Sequence, residues 1–255
     1  MMKKVWNSFL ISFAMFSKIP VPRADWDKEN MKYMICFFPA IGVIIGLLEW
    51  GYGWMAMKLG FGSLMRAAGF VLIPLIVTGG IHLDGFLDTV DALSSYQPLE
   101  KKLQILKDSH AGAFAIIMGC AYFTLGLGVW SEMKTELLPV MAVAFALSRS
   151  LSGLALSTFP KANKSGSLSM FSDAAQKKIL LGTLTLWILA CGAAALWLNS
   201  VIGGIMLLTQ AAVYWYYHHV AMKEFGGTTG DIAGFFVQVC ELACACTVML
   251  GGKLL

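Results

Sequence analysis

The sequence predicts an all-α, polytopic integral membrane protein, a helical bundle of about seven transmembrane helices with one further helix at the N-terminus. Of its 255 residues, 58% are hydrophobic and only 13% are charged, whereas soluble domains carry about 25% charged residues. Apolar runs long enough to cross a bilayer recur along the chain, separated by short polar connections. We expect a single membrane-embedded domain over residues 1–255, in the cell (inner) membrane.

The apolar runs give the expected order of the helices. Residues 5–16 form an apolar run that is short for a membrane span and lacks a small-residue cleavage site. We therefore expect it to remain on the protein as an interfacial or re-entrant helix. The expected spans follow at residues 33–57, 67–82, 111–130, 138–159, 179–198, 201–222 and 231–250.

Three aspartates follow the second expected span at helical spacing. Asp84, Asp88 and Asp91 are separated by four and then three residues, which places them on one face of an α-helix. Apolar side chains occupy the opposite face, and His82 points away from the aspartates on the same periodicity. The sequence thus predicts a helix with a carboxylate face and an apolar face.

This carboxylate face needs a positive partner. A carboxylate at the membrane centre costs about 2.5 to 3.5 kcal/mol, and three like charges repel one another. Oxygen ligands without cysteine favour Mg²⁺ or Mn²⁺ over Zn²⁺. Because protein-bound Mg²⁺ usually shares its ligands with substrate phosphates, a magnesium site that handles phosphate is expected. The alternative is an acidic helix end that faces water.

A glycine-rich segment before the last expected span is the second candidate element. Its glycines would let backbone N–H groups approach a phosphate, and the following helix adds positive character at its N-terminus. Asp231 would cap that helix or complete the metal shell, and capping alone is an equally good explanation. The expected substrate contacts are Gly226, Gly227, Thr228, Thr229 and Gly230.

The distribution of basic residues predicts the orientation in the membrane. With seven spans, 14 of the 19 Lys and Arg residues fall on one side and four on the other, with Arg149 inside a span. The positive-inside rule assigns the richer side to the cytoplasm, and both candidate site elements lie on that side. Because the basic residues are spread over connecting segments, no nucleic-acid partner is expected. A homo-oligomer remains possible.

A few charges fall within or beside the spans. Glu49, Arg149 and Glu241 are intramembrane, where charges usually pair or face the bundle interior. Arg149 and Glu241 could form a structural ion pair, or Arg149 could contact a substrate phosphate. Lys107 and Asp108, just before the third span, offer a further cation and carboxylate.

The motifs together resemble one enzyme family over nearly the whole chain, the cobalamin synthases or adenosylcobinamide-GDP ribazoletransferases. The central motif is His82-Leu83-Asp84-Gly85-x-x-Asp88-Thr89-x-Asp91. The other motifs are Ile19-Pro20-Val21-Pro22, Phe38-Pro39-Ala40-Ile41-Gly42, Lys107-Asp108-Ser109 and Gly226-Gly227-Thr228-Thr229-Gly230-Asp231. The chain departs from the family at Ala92, His110 and Gln238, where Gly, Arg and Glu are usual.

The resemblance implies an Mg²⁺-dependent membrane enzyme of vitamin B12 assembly. It would transfer adenosylcobinamide phosphate from its GDP ester to α-ribazole or its 5′-phosphate and release GMP. Two other classes of membrane protein also use aspartates on helices, the CDP-alcohol phosphatidyltransferases and the cation transporters. The first would need an Ala-Arg after the second aspartate and a further aspartate pair, and the second an internal repeat; neither feature is found in the sequence.

The residues and the resemblance together suggest roles for the site. Asp84, Asp88 and Asp231 are expected to bind Mg²⁺, with Asp91 as a further ligand or as the base that accepts a proton from ribazole. Lys107 and Arg149 are expected to take phosphate charge. The remaining expected substrate contacts, besides the glycine-rich segment, are His82, Asp108 and Ser109.

Overall fold

The computed structural model describes residues 2–108, 110–162 and 174–255, and in these residues the regular elements are helices. Short 3₁₀ turns precede two of them, at Met34–Phe37 and Thr135–Leu137. The α-helices are α1 (Met2–Phe16), α2 (Lys28–Met31), α3 (Phe38–Lys58), α4 (Ser63–Thr78), α5 (Ile81–Ser94), α6 (Leu99–Ile105), α7 (Ala113–Ser131), α8 (Leu138–Thr158), α9 (Ala174–Leu198), α10 (Ser200–Phe225) and α11 (Gly230–Leu254).

The all-α membrane architecture is confirmed, but the count of seven spans is not. In the described residues, five helices are long and apolar enough to cross a bilayer. They are Met34–Lys58, Ala113–Ser131, Thr135–Thr158, Lys177–Leu198 and Gly230–Leu254. Helices α4 and α5 meet the same criterion only as a bent pair, which makes six. The remaining expected span corresponds to α10, whose run of Tyr, Trp and His at residues 214–219 lowers its hydropathy.

A sharp bend separates α4 from α5, where the sequence predicted one continuous span. Gly79 and Gly80 have φ values of 65° and 82°, a left-handed conformation that only glycine adopts at low cost. The Gly80 amide donates to the Leu75 carbonyl at 3.1 Å and closes the end of α4. As a result α5 leaves at 96° to α4, and the aspartates begin a new helix.

Close helix packing surrounds α8, the most deeply buried helix. A Cβ atom on Gly46 of α3 would lie 2.5 Å from the Ala142 carbonyl oxygen, and one on Gly42 would lie 2.2 Å from the Phe145 carbonyl oxygen. Small residues four apart allow such contact between membrane helices. Helix α11 packs on α5, α8 and α10, so the start of α11 is held against α5.

Helix α1 packs on the protein beside this bundle. Leu10, Ile11 and Phe13 are buried, and the Ser8 hydroxyl donates to the Asn30 carbonyl at 2.5 Å. The Lys18 amide donates to the Val77 carbonyl at 2.7 Å. The chain after α1 is therefore fixed to the end of α4, close to the bend that starts α5.

Candidate active site

Helix α5 presents its aspartates on one face, as the spacing predicts. Asp84 is exposed, and Asp88 and Asp91 are half-buried. Phe86 and Val90 are buried on the other side, where they form a small apolar cluster with Phe235 of α11. The apolar face therefore fixes the rotation of α5 and holds the carboxylates outward.

The first turn of α11 brings a fourth carboxylate to this face. A Cβ atom on Gly85 would lie 2.7 Å from the Asp231 carbonyl oxygen, so the two backbones are in direct contact. Asp88 is close enough to three other carboxylates to be repelled by them, those of Asp84, Asp91 and Asp231. The acidic residues of two distant segments therefore form one cluster.

This contact predicts that Gly85→Ala destabilises the protein. Alanine normally favours a helix interior by about 1 kcal/mol over glycine, but here its methyl group would meet backbone, which does not yield easily. Overpacking of this kind costs about 1 to 3 kcal/mol. We expect a lower midpoint of thermal unfolding in detergent. Gly51→Ala is the control, because a Cβ atom there meets nothing within 4 Å; equal stability of the two variants would contradict the contact.

Asp91 lies at the N-terminus of another helix. Its carboxylate contacts Gly112 so closely that a side chain at residue 112 would clash with it. Gly112 is the N-cap of α7 and has no side chain of its own to cap the helix. Because helix N-termini attract negative charge, the N-terminus of α7 stabilises the Asp91 carboxylate even without a metal ion.

The donor set fits a hard divalent cation that a substrate would help to hold. Within the described residues none of the four aspartates forms an ion pair, so no cationic side chain offsets their mutual repulsion. No group of three or more His, Cys, Asp or Glu residues in the described ranges is already arranged to hold a metal. Magnesium commonly takes one or two carboxylates plus phosphate oxygens. The arrangement therefore suits a shared ion and does not form a closed protein cage.

Several backbone amides of the glycine-rich segment already donate hydrogen bonds to carbonyl groups of the protein. The amides of Gly226 and Gly227 both donate to the Ala221 carbonyl, and the Thr228 amide donates to Pro160 at 2.8 Å. These backbone donors are therefore not directed at a phosphate. The buried Thr228 hydroxyl also bonds to the Tyr217 hydroxyl at 2.5 Å. The structure explains Gly226, Gly227 and Thr228 by packing, and their contact with substrate stays a prediction.

The end of the same segment begins α11 beside the aspartates. Thr229 is the N-cap, and its hydroxyl accepts from the Ile232 amide at 3.3 Å and donates to Asp231 at 3.4 Å. Gly230 is exposed. The first turn of α11, with its positive N-terminal character, is thus the part of the segment placed to meet a phosphate.

Arg149 lies away from this surface. It is fully buried in α8 and forms an ion pair with Glu241 of α11, while the same guanidinium nitrogen donates to the Phe145 carbonyl at 2.9 Å. The structure thus favours the structural ion pair over the expected phosphate contact. Glu49 is buried nearby, and neither of its carboxyl oxygens has a hydrogen-bond partner among the described residues.

The segment before α7 stays exposed. Lys107 and Asp108 are both on the surface, five and four residues before the Gly112 that contacts Asp91. The backbone amide and the ring of His110 bond to Asp108 at 3.0 and 2.8 Å and lower the pKa of its carboxyl group. Ser109, the third residue of this motif, lies outside the described residues.

A cavity opens between the acidic cluster and α1. Its acidic rim is formed by Asp84 and Asp231, and His82 lies in its wall although helical periodicity points it away from the aspartates. The bend at residues 79–80 lets the first turn of α5 line the cavity through Ile81, His82 and Asp84. The sequence did not predict the other residues that line the cavity, although Phe38 belongs to one of the motifs that carry the family resemblance. They include Phe16, Met34, Phe38, Ser152 and Leu156.

Fold and site together define a polytopic helical membrane protein with acidic residues from two helices at the mouth of a cavity. The family described as cobalamin-5-phosphate synthase matches residues 8–249. The chain belongs to this family. It is accordingly an enzyme of the transferase type, and the family supports a role in the late assembly of the cobalamin nucleotide loop.

Curated relatives can be aligned with this chain over almost their full length. An adenosylcobinamide-GDP ribazoletransferase of Lachnoclostridium phytofermentans is 39% identical over 96% of this chain and 94% of its own. Proteins with the same name from Clostridium botulinum strain Alaska E43 and Geobacillus thermodenitrificans are 33% and 30% identical, over 94% and 93% of this chain and 96% and 93% of theirs. No solved structure matches the chain.

Proposed function

We propose that this protein catalyses the Mg²⁺-dependent transfer of adenosylcobinamide phosphate from its GDP ester to α-ribazole or its 5′-phosphate, with release of GMP. The observation that carries the proposal is the convergence of aspartates from α5 and α11 at the rim of one cavity. The name of the relatives supports the corrinoid-GDP and ribazole substrates.

Four carboxylates are available to hold the metal. Asp84, Asp88 and Asp231 would bind Mg²⁺, with Asp91 as a further ligand or as the base. Bound Mg²⁺ would neutralise negative charge on the diphosphate ester. The mutual repulsion among the four carboxylates supports this proposal, since no cationic side chain of the described residues offsets it and a bound cation would.

The chain itself would position the two substrates and accept a proton. The ribazole 3′-hydroxyl oxygen forms a bond to the phosphorus of the cobinamide phosphate, the P–O bond to GMP breaks, and the hydroxyl proton passes to a carboxylate, for which Asp91 is our candidate. The apolar walls of the cavity would exclude bulk water, which would otherwise compete as the acceptor. Lys107 is the exposed cation nearest in sequence to Gly112 and would take phosphate charge.

We place the site at the cytoplasmic face of the cell membrane. Three segments lie on the side of the membrane that carries most of the lysines. They are the end of the bent α4–α5 pair, helix α6 and the segment before α11. In addition, α6 contacts α10 through an ion pair between Lys102 and Glu224 at 2.5 Å. The large, water-soluble corrinoid would then approach along the inner membrane surface.

The direct test is GMP release by the purified protein in lipid nanodiscs. With the corrinoid-GDP ester, α-ribazole and Mg²⁺, we expect stoichiometric GMP and adenosylcobalamin; omission of α-ribazole should give no GMP. Treatment with EDTA should lower the rate to background, and added Mg²⁺ or Mn²⁺ should restore it. A rate unaffected by chelation would contradict the metal role, and CMP release from CDP-diacylglycerol would indicate the other class of transferase.

A further inference from the structure

The cavity beside the aspartates has two chemically different ends. Its empty volume, including the open mouth, is about 760 Å³. The mouth carries Asp84 and Asp231, whereas the interior is formed by apolar and aromatic side chains from α1, the 3₁₀ turn, α3 and α8. These are Met15, Phe16, Met34, Ile35, Phe38 and Leu156. A ligand that fills it must therefore have a polar end and an apolar end.

One buried polar atom in the wall has no partner. His82 is 5% exposed, and its Nε2 atom makes no hydrogen bond among the described residues. Its ring packs against Phe38 with the ring centroids 5.4 Å apart. Leaving a buried polar group unsatisfied costs about 1 to 3 kcal/mol. His82 belongs to the cavity wall, so a turn of its ring towards the cavity would let a bound ligand supply the missing partner.

We propose that this cavity binds the aromatic base of the acceptor nucleoside, and that the His82 Nε2 atom hydrogen-bonds to the one unsubstituted ring nitrogen of that base. This inference rests on the proposed function and adds a specificity-determining residue to it. The flat faces of a benzimidazole-type base pack against Phe38 and its apolar neighbours. The ribose then lies at the mouth, with its hydroxyl groups towards the acidic cluster of α5 and α11.

The other parts of the substrates do not match these walls. Guanine offers several hydrogen-bond donors and acceptors around its edge, but the polar side chains of the wall, besides the two aspartates, are His82 and Ser152. The Ser152 hydroxyl already faces the Ala233 carbonyl at 3.5 Å. The corrin ring carries many amide groups, which would remain unsatisfied against apolar side chains.

The test compares two acceptors that differ by one ring atom. A benzimidazole α-riboside has the free ring nitrogen, and the matching indole α-riboside has C–H in its place. Wild-type protein should show a KM about tenfold lower for the benzimidazole compound, as loss of a hydrogen bond of about 1.4 kcal/mol implies. His82→Phe should keep the packing but raise the KM for the benzimidazole riboside to that of the indole riboside. Its KM for the corrinoid-GDP ester should not change.

His219→Phe is the matched control, because His219 is exposed on α10 and stacks on Trp215. It should retain the tenfold preference. Equal discrimination by wild-type protein and His82→Phe would overturn the inference. So would a rise in the KM for the corrinoid-GDP ester alone, which would place the guanine in the cavity.

A second variant keeps the inference testable if His82→Phe does not fold. Ile81 is 42% exposed at the cavity wall, and Ile81→Trp should block the cavity and weaken binding of the benzimidazole riboside at least tenfold by calorimetry without the corrinoid-GDP ester. Ile76→Trp, on the exposed side of α4, should bind as wild type. Unchanged binding by Ile81→Trp would overturn the inference. Failure of the wild type to release GMP despite riboside binding would instead overturn the proposed function.

Discussion

Asp84→Asn is expected to lower GMP release at least about a hundredfold, in the range seen when one group that stabilises transition-state charge is removed. The protein should remain folded, because Asp84 is exposed and forms no ion pair in the described part of the chain. Loss of one of four mutually repelling carboxylates should leave the unfolding midpoint unchanged or slightly raised without Mg²⁺. Steady-state kinetics at saturating Mg²⁺ and thermal unfolding in detergent measure the two effects.

Asp25→Asn is the matched control for this substitution. Asp25 is an exposed aspartate in the loop after α1, and the same change there should alter neither rate nor stability. Near-normal turnover by Asp84→Asn at saturating Mg²⁺ would remove Asp84 from the proposed metal site. A large loss of stability would show instead that its carboxylate supports the fold.

Arg149→Met is expected to destabilise the protein by about 3 to 5 kcal/mol, because it leaves the buried Glu241 carboxylate without its cation. Glu49 lies in the same buried region and increases the cost. The double variant Arg149→Met with Glu241→Leu replaces both charges by apolar groups and should recover much of the lost stability. The yield of folded protein and the midpoint of thermal unfolding report the effect.

The alternative role for Arg149 predicts a different pattern. If its guanidinium contacted a substrate phosphate, Arg149→Met would fold normally and raise the KM for the corrinoid-GDP ester, and Glu241→Leu would not rescue it. Recovery of stability in the double variant together with recovered turnover would exclude a direct role in catalysis. Lys134→Met, at an exposed position on the other side of the membrane in our topology, is the control for loss of a single cation.

The parts of the site that depend on local sequence could be predicted. The spacing of Asp84, Asp88 and Asp91 decides which face of a helix they share, because helical geometry is local. The adjacent glycines at residues 79 and 80 lie inside the expected span 67–82, and the 96° bend at this point was not predicted. The length of α1 likewise indicated a helix that is short for a span.

Long-range packing decided the rest. The contacts of Gly85 with Asp231 and of Gly112 with Asp91 join segments distant in sequence, and periodicity contains no information about them. Periodicity on an isolated helix directs His82 away from the aspartates, but the cavity is lined by Ile81, His82 and Asp84 of the first turn of α5. The glycine-rich segment was interpreted from composition, whereas its amides are used by the neighbouring backbone at Pro160 and Ala221.

The count of seven spans is not confirmed because of the composition of one helix. Helix α10 is 26 residues long, but its Tyr, Trp and His residues are typical of a membrane interface and carry low hydropathy. Helix α10 is therefore long enough to cross a bilayer, but it is not apolar enough to meet the hydropathy criterion. Its partners α9 and α11 are both apolar enough to span, so α10 connects two candidate spans.

The central claim is that carboxylates of α5 and α11 share one cation with a diphosphate ester. Electron–nuclear double resonance of Mn²⁺ bound to the protein with the corrinoid-GDP ester measures it most directly. We expect a ³¹P coupling from the ester and Mn²⁺ affinity at least tenfold weaker in both Asp84→Asn and Asp231→Asn than in wild type. Mn²⁺ that binds all three proteins equally, or that shows no ³¹P coupling with the ester present, would contradict the claim.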